Sequence, residues 1–336
     1  MPRGRGAGPE RPHRSEYEAM GTSAETGAQD ADAAGLLAGK SVAVTGATRG
    51  LGRAIARALA GAGASLVVNG RDALLLDTLV AELEATGASA VAVPGSVADE
   101  PTAQRIAETA VERFGKLDTL VNNAGVVRDR TTLRMSADEF DEVIATNLRG
   151  TWLCGREAAR AMKQSGGHII NITSNAAFQG SVGQSNYAAA KAGVVALTRA
   201  WAYELERYGI RANAVWPIAL TDMTEVVIER AGAAAEADGR ERPSAAELGF
   251  GDPDEVATLL VYLASDLAAH LNHQIVTFNG GRIATWTHPR EEDVRERPRW
   301  SVEQIAEHFA GPESVAQQPL YEPQLAPLLD ARRRAS

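Results

Sequence analysis

The sequence predicts an α/β fold, a doubly wound three-layer sandwich built on about seven parallel strands, and three observations predict it. Short apolar runs recur along the chain and are apolar on both faces, as strands buried in a parallel sheet are. Longer stretches of helical periodicity separate them, giving successive βα units. The first run passes through a glycine-rich turn into an Ala- and Leu-rich amphipathic helix, "SVAVTGATRGLGRAIARALAGAGA". In such a fold ligands bind at the carboxyl ends of the strands.

The elements follow in order. Residues 1 to about 35 are rich in Gly, Pro, Ala and charge, with too little apolar surface to offset the entropy of ordering, and are expected to be a disordered tail. The main domain, 36–284, opens with the strand "SVAVT" at 41–45 and continues with "SLVVN" at 65–69, "SAVAV" at 89–93 and "DTLVNN" at 118–123. Asp72, just before "ALLLDTL", reads as the N-cap of the helix after the second strand. "HIINIT" at 168–173, "RANAVW" at 211–216 and "QIVTFN" at 274–279 complete the sheet. Between the last two of these, residues 222–251 are Ala- and Glu-rich with turn signals inside, which predicts a mobile helical lid over a substrate. The C-terminal extension, 285–336, carries one short amphipathic helix, "WSVEQIAEHF", amid Pro- and Arg-rich sequence.

Composition removes several classes of function. The 336 residues are 45% apolar, enough to bury a substantial core. A net charge of -9 argues against a nucleic-acid partner, because binding a phosphate backbone draws on clustered Lys and Arg. No apolar run approaches the ~20 residues needed to cross a bilayer, so no membrane partner is expected. The single cysteine, Cys154, allows no intrachain disulfide, and a reducing cytoplasm is the expected compartment. Cys154 has no activating base nearby in sequence and reads as a buried small residue. His270 and His273, with Asp266 upstream, lack a further ligand, so no metal is expected. His168 opens a core strand and reads as structural.

Two stretches carry chemistry. In the first turn, Gly46, Gly50 and Gly52 would let the backbone approach a pyrophosphate at the positive end of the helix. In "SNAAFQGSVGQSNYAAAK", Tyr187 and Lys191 are four apart, so on a helix beginning near Asn186 they project from one face. Ser174 ends the fifth strand, where its hydroxyl could bond a substrate oxygen and stabilise charge developing there. A free phenol ionises near pKa 10, and lowering that by three units takes roughly 4 kcal/mol. The adjacent ammonium and a positively charged ring could supply it.

Thr45-Gly46-xxx-Gly50-x-Gly52, the "NNAG" of Asn122 to Gly125, and the Ser174, Tyr187, Lys191 set together resemble the short-chain dehydrogenase/reductase family over about residues 38–282. The resemblance implies a Rossmann-type fold and a nicotinamide cofactor. It makes Tyr187 the general acid in carbonyl reduction and the base in alcohol oxidation, with Ser174 beside it. Lys191 would also hold the nicotinamide ribose, and Asn147 in "IATNLRG" would hold a water that relays protons to it. It further implies that Gly46, Thr48, Arg49, Gly50, Leu51 and Gly52 contact the cofactor in the glycine turn. Ser96 and Val97, then Asn123, Ala124 and Gly125, would do so toward the adenosine. Tyr187, Lys191, Pro217 and Thr221 would do so at the nicotinamide end.

Where relatives preferring NAD end the second strand with an acid, this chain has Gly70 followed by Arg71, and Arg49 lies in the glycine turn. Two guanidinium groups could converge on a 2′-phosphate, so NADP(H) is expected. Two departures from the family pattern stand out. Ser96-Val97 replaces an acid followed by Val, and "WPIALTDMT" carries Ile218 after Pro217, with Thr221 one residue early. "NNAGVVRDRTTLRMS", "GQSNYAAAK" and "GGRIATWTHPRE" are similar to the branch of (3R)-hydroxyacyl-CoA dehydrogenases and 3-oxoacyl-ACP reductase-like enzymes. These features imply an NADPH-dependent ketoreductase acting on a 3-oxoacyl thioester or a polyketide-like cyclic ketone, with secondary metabolism as its expected setting. The alternatives are an NAD(P)-dependent 3-hydroxyacyl-CoA dehydrogenase and, in another class, a non-catalytic NADP(H)-sensing regulator. Family members assemble as dimers or tetramers, and "AGVVALTRAWAYELERYG" has the apolar and aromatic content for such an interface.

Overall fold

A computed structural model describes residues 33–289, 294 and 298–310. The tail expected before residue 33 and the end of the C-terminal extension lie outside the described residues. Eight strands form one sheet: β1 Ser41–Val44, β2 Ser65–Gly70, β3 Ala90–Pro94, β4 Thr119–Asn122, β5 Gly167–Ile172, β6 Ile210–Pro217, β7 Ile275–Phe278 and β8 Ile283–Thr285. Their order is β3-β2-β1-β4-β5-β6-β7-β8. Seven run parallel, matching the seven apolar runs. The eighth pairs antiparallel with β7, Thr277 opposite Ala284. The sequence did not reveal β8, because three residues, mostly exposed at an edge, carry no burial period.

The helices are α1 Gly50–Gly61, α2 Ala73–Ala85, α3 Glu100–Phe114, α4 Ala137–Val143, α5 Gly150–Met162, α6 Ala176–Gln179, α7 Ser185–Glu204, α8 Asp222–Ala237, α9 Pro253–Ala264 and α10 Val302–Ala310. None among the described residues is long and apolar enough to cross a membrane.

Adjacent strand residues point to opposite faces and so divide the core. Val42, Val44, Leu66 and Val68 pack against Ile55 and Leu59 of α1, Leu76 and Leu83 of α2, and Leu260 of α9. Ala43, Val67, Leu120 and Ile169 pack on the other face against Ile106 of α3, Leu153 of α5 and Trp201 of α7. Each such side chain, fully buried, contributes roughly 1.5–3 kcal/mol relative to exposure.

Polar residues join strands to their flanking layers. Asp72 caps α2 by accepting from the Leu75 amide at 3.1 Å, and Ser136 with Glu139 forms a capping box on α4. His168, in β5, donates from Nδ1 to the Leu263 carbonyl at 2.8 Å. A neutral ring then accepts at Nε2 from the Asn213 amide, 2.9 Å away on β6. Burial pushes His168 down to about 3, consistent with a structural, uncharged imidazole. Cys154 is also buried, and burial raises its thiol to about 12.

Between β1 and β4 the strand order reverses direction, which opens a crevice at the carboxyl ends. The lid segment leaves and rejoins the body at one point, where Ala219 bridges Gly251. Within it stands α8.

Candidate active site

The glycine turn at the crevice serves two ends. Gly46 has φ +64, and a Cβ there would lie 2.7 Å from the Ala124 Cα. A Cβ on Gly52 would lie 2.2 Å from the Gly46 carbonyl oxygen and 2.5 Å from the Asn123 Nδ2. Both glycines are therefore required by the approach of the protein to itself. Thr45 and Asn123 fasten that approach: the Thr45 hydroxyl accepts from the Asn123 and Ala124 amides at 3.0 and 3.1 Å, and Asn123 Nδ2 donates to the Thr45 and Gly46 carbonyls. Gly50 differs, since at φ +50 a Cβ there would meet the Thr221 methyl at 3.7 Å, ordinary contact.

The helix behind this turn leaves its positive end open. Arg49, the residue before α1, gives no side-chain cap, and no acid stands in the first turn. Leu51 is buried beneath it. An α-helix start with uncapped amides facing a glycine cradle fits a pyrophosphate. Arg71 is exposed at the end of β2. Beside it, a Cβ on Gly70 would meet the Thr48 methyl at 2.5 Å, so Thr48 occupies the room an acidic side chain would need. Ser96 accepts from the Ala98 amide at 3.2 Å, and Val97 is buried against Gly150.

At the other end β5, α6 and α7 converge. Ser174 stands just past β5, and the Ala176 amide donates to its Oγ at 3.3 Å. Its hydroxyl donates to the Asn175 Oδ1 at 3.0 Å and lies near the Tyr187 phenol, whose pKa it helps to hold down. Lys191 is buried one turn along α7, its Nζ 5.6 Å from the centre of the Tyr187 ring and 2.8 Å from the Ile172 carbonyl it donates to. An ammonium has three donors, so Lys191 keeps capacity for ribose hydroxyls.

Asn147 lies in a π-helical turn, Ile144–Arg149, where the Gly150 amide reaches back five residues to the Ala145 carbonyl. Its side chain bonds twice to one residue: Oδ1 accepts from the Val126 amide at 2.8 Å and Nδ2 donates to the Val126 carbonyl at 2.9 Å. Asn147 thereby ties the "NNAG" loop, with Gly125 packed against it, to the helix beside α7. Pro217 ends β6, and Thr221 reaches the glycine turn as the lid begins.

Electrostatics run opposite to the phenol-lowering expected from the sequence. Burial pushes Tyr187 up to about 12, with Asp129 adding to the rise and the Ser174 bond opposing it. Burial lowers Lys191 to about 8. The protein alone keeps Tyr187 a protonated donor at neutral pH, because desolvation outweighs the nearby ammonium. Taken as a whole residue, Tyr187 is half-buried.

Sequence reasoning missed the clasp around α7. Gln184 donates to both oxygens of Asp129 at 3.1 Å, and Asn186 donates to the Arg128 and Glu139 carbonyls while accepting from the Tyr187 amide at 2.7 Å. These bonds dock the loop after β4 on the start of the catalytic helix. The signal was polar residues packed between small ones in "GQSNY". Among the described residues no group of three or more His, Cys, Asp or Glu is placed to hold a metal.

A family model described as short chain dehydrogenase matches residues 40–231. A 3-oxoacyl-[acyl-carrier-protein] reductase of Synechocystis sp. is 41% identical over 244 residues, covering 71% of this chain and 95% of the relative. Hydroxyacyl-CoA dehydrogenase ChsB1 of Mycobacterium tuberculosis is 41% identical over 270 residues, covering 76% of this chain and 82% of the relative. The crystal structure of a short chain dehydrogenase from Mycobacterium avium superposes with a TM-score of 0.72 at 35% identity, over 85% of this chain and 98% of that one.

Proposed function

This chain belongs to the short chain dehydrogenase family and is an oxidoreductase, and on that premise we propose that it is an NADPH-dependent ketoreductase acting on a 3-oxoacyl thioester. One observation carries the reading: Ser174, just past β5, and Tyr187 and Lys191, one turn apart on α7, come together, with the ammonium 5.6 Å from the centre of the phenol ring. The bound dinucleotide would supply hydride and, once oxidised, a positive ring. Ser174 orients the substrate oxygen, Tyr187 gives it a proton, and Lys191 holds the ribose and returns charge balance to the phenol. Burial keeps the phenol protonated at neutral pH, the form that can hand a proton to a carbonyl oxygen.

The phosphate end supports NADPH. Gly70, with the Thr48 methyl against it, leaves no acid there to repel a 2′-phosphate, and Arg71 and Arg49, next to Gly70 and Thr48 in the chain, are both exposed. Charge-assisted bonds of about 1.5–3 kcal/mol give an expected NADPH preference of at least tenfold in kcat/KM over NADH. Equal values, or better ones with NADH, remove that assignment. Relatives named for 3-oxoacyl and hydroxyacyl thioesters support the thioester over a cyclic ketone, and the hydroxyacyl-CoA dehydrogenase keeps oxidation of the 3-hydroxyacyl thioester as the second reading.

Tyr187→Phe tests the chemistry. NADPH oxidation with a 3-oxoacyl thioester should fall by about 10²–10⁴-fold while NADPH affinity stays within about twofold. A fully active variant would break the assignment. The lid 222–251, with α8, is proposed to close over the substrate, because its two ends meet at the Ala219–Gly251 bridge beside the nicotinamide end.

A further inference from the structure

We infer that Trp286, in the segment that follows β8, is a positioning residue for Ser174, acting through Phe178; the inference rests on the proposed role of Ser174. The single turn α6 starts two residues after Ser174. The Ala176 amide donates to the Ser174 Oγ at 3.3 Å, and the Ala177 amide donates to the Ser174 carbonyl at 3.0 Å. Wherever this turn sits, the serine hydroxyl follows, and with it the proposed contact with the substrate oxygen.

A four-residue helix cannot hold itself in place. The backbone bonds of α6 are internal: the Phe178 and Gln179 amides donate to the Asn175 carbonyl, and the Gly180 amide donates to that of Ala176. At its start, the Ser174 hydroxyl accepts from the first amide and the Asn175 side chain adds no cap. Its anchor is aromatic. The Phe178 ring stacks on Trp286, centroids 4.2 Å apart and planes within 9°, and stands 6.5 Å from Trp216 at the end of β6.

Trp286 is itself fixed to the sheet. Its Nε1 donates to the Thr277 hydroxyl at 2.7 Å, and its amide donates to the Ile275 carbonyl at 2.9 Å, which extends the β7–β8 pairing by one residue. The ring also lies 5.4 Å from Trp216. Both Phe178 and Trp286 pack on the cluster of Val195, Ala214 and Ile275 beneath α7. The line of contact thus runs from the antiparallel edge, through two stacked rings and one helical turn, to the hydroxyl that faces the phenol.

The test compares Trp286→Ala with the unsubstituted chain, alone and in a Ser174→Ala background, in NADPH-coupled reduction of a 3-oxoacyl thioester. Trp286→Ala should lower kcat roughly ten- to hundredfold while NADPH affinity, set at the far end of the crevice, stays within about twofold. In the Ser174→Ala background it should lower kcat no further, because the two changes remove one interaction. An equal drop in both backgrounds, as a general structural role would give, overturns the inference. So does a Trp286→Ala enzyme as fast as the unsubstituted one, and that result leaves the ketoreductase reading standing. Should Trp286→Ala fail to fold by circular dichroism, Trp286→Phe and Trp286→Leu carry the comparison. Phenylalanine keeps the stack and should keep most of kcat; leucine keeps only apolar volume and should lose it, and equal kcat for the pair refutes the mechanism.

Discussion

Lys191 is a buried ammonium whose hydrogen-bond acceptor is a backbone carbonyl, and burial lowers it from 10.5 to about 8. The unfolded chain holds that proton more tightly than the folded one. The penalty to stability is therefore full below about pH 8, shrinks as pH rises toward 10.5, and is absent above it. Lys191→Met should stabilise the cofactor-free chain at pH 7 by up to about 3 kcal/mol, less the lost hydrogen bond, while abolishing turnover. Thermal unfolding at pH 7 and pH 10 checks this: the advantage must be present at the lower pH and reduced at the higher. A variant less stable than the parent at pH 7 would show that the ammonium is not strained by its burial. Gly70 makes a related point at the same scale, since the neighbouring Thr48 methyl leaves no room for a side chain there.

The element that most depends on a single atom's room is the turn into α1. Within a helix alanine is ordinarily better than glycine by about 1 kcal/mol. Gly52 lies in the first turn of α1, yet an added methyl would stand 2.2 Å from the Gly46 carbonyl oxygen, a backbone atom that cannot swing aside. Gly52→Ala should thus destabilise the chain by about 1–3 kcal/mol, reversing the propensity, and weaken NADPH binding as the turn shifts. Urea unfolding and a cofactor titration read the two effects, and a variant at least as stable as the parent would refute the close packing. The π-helical turn between α4 and α5 is a comparable case. It brings Asn147 into reach of Val126, and the single residue it inserts into the helix leaves no mark on composition.

At the scale of the whole molecule, α5 and α7 lie side by side on one face, with Gly155 letting Trp201 sit against its backbone. Their outer surfaces show Trp152, 39% exposed, and Tyr203, 69% exposed, more aromatic area than a solvated helix face needs. This supports the expected homo-oligomer. Light scattering at micromolar concentration should give a dimer or tetramer mass, and replacing Trp152 and Tyr203 together by Glu should reduce it. A monomeric parent chain would count against the helix interface.

The sequence by itself determined the parallel sheet, the glycine turn, the Asp72 cap and the pairing of Tyr187 with Lys191. Each is written in local order, as a burial period, a backbone allowance or a four-residue spacing that any helix brings to one face. Tertiary structure alone decided that β8 lines the edge, that Asp129 and Gln184 clasp the start of α7, and that Trp286 reaches Phe178 more than a hundred residues away. It also set the direction of the phenol's shift. Desolvation depends on everything that surrounds a group, and no stretch of sequence carries that sum.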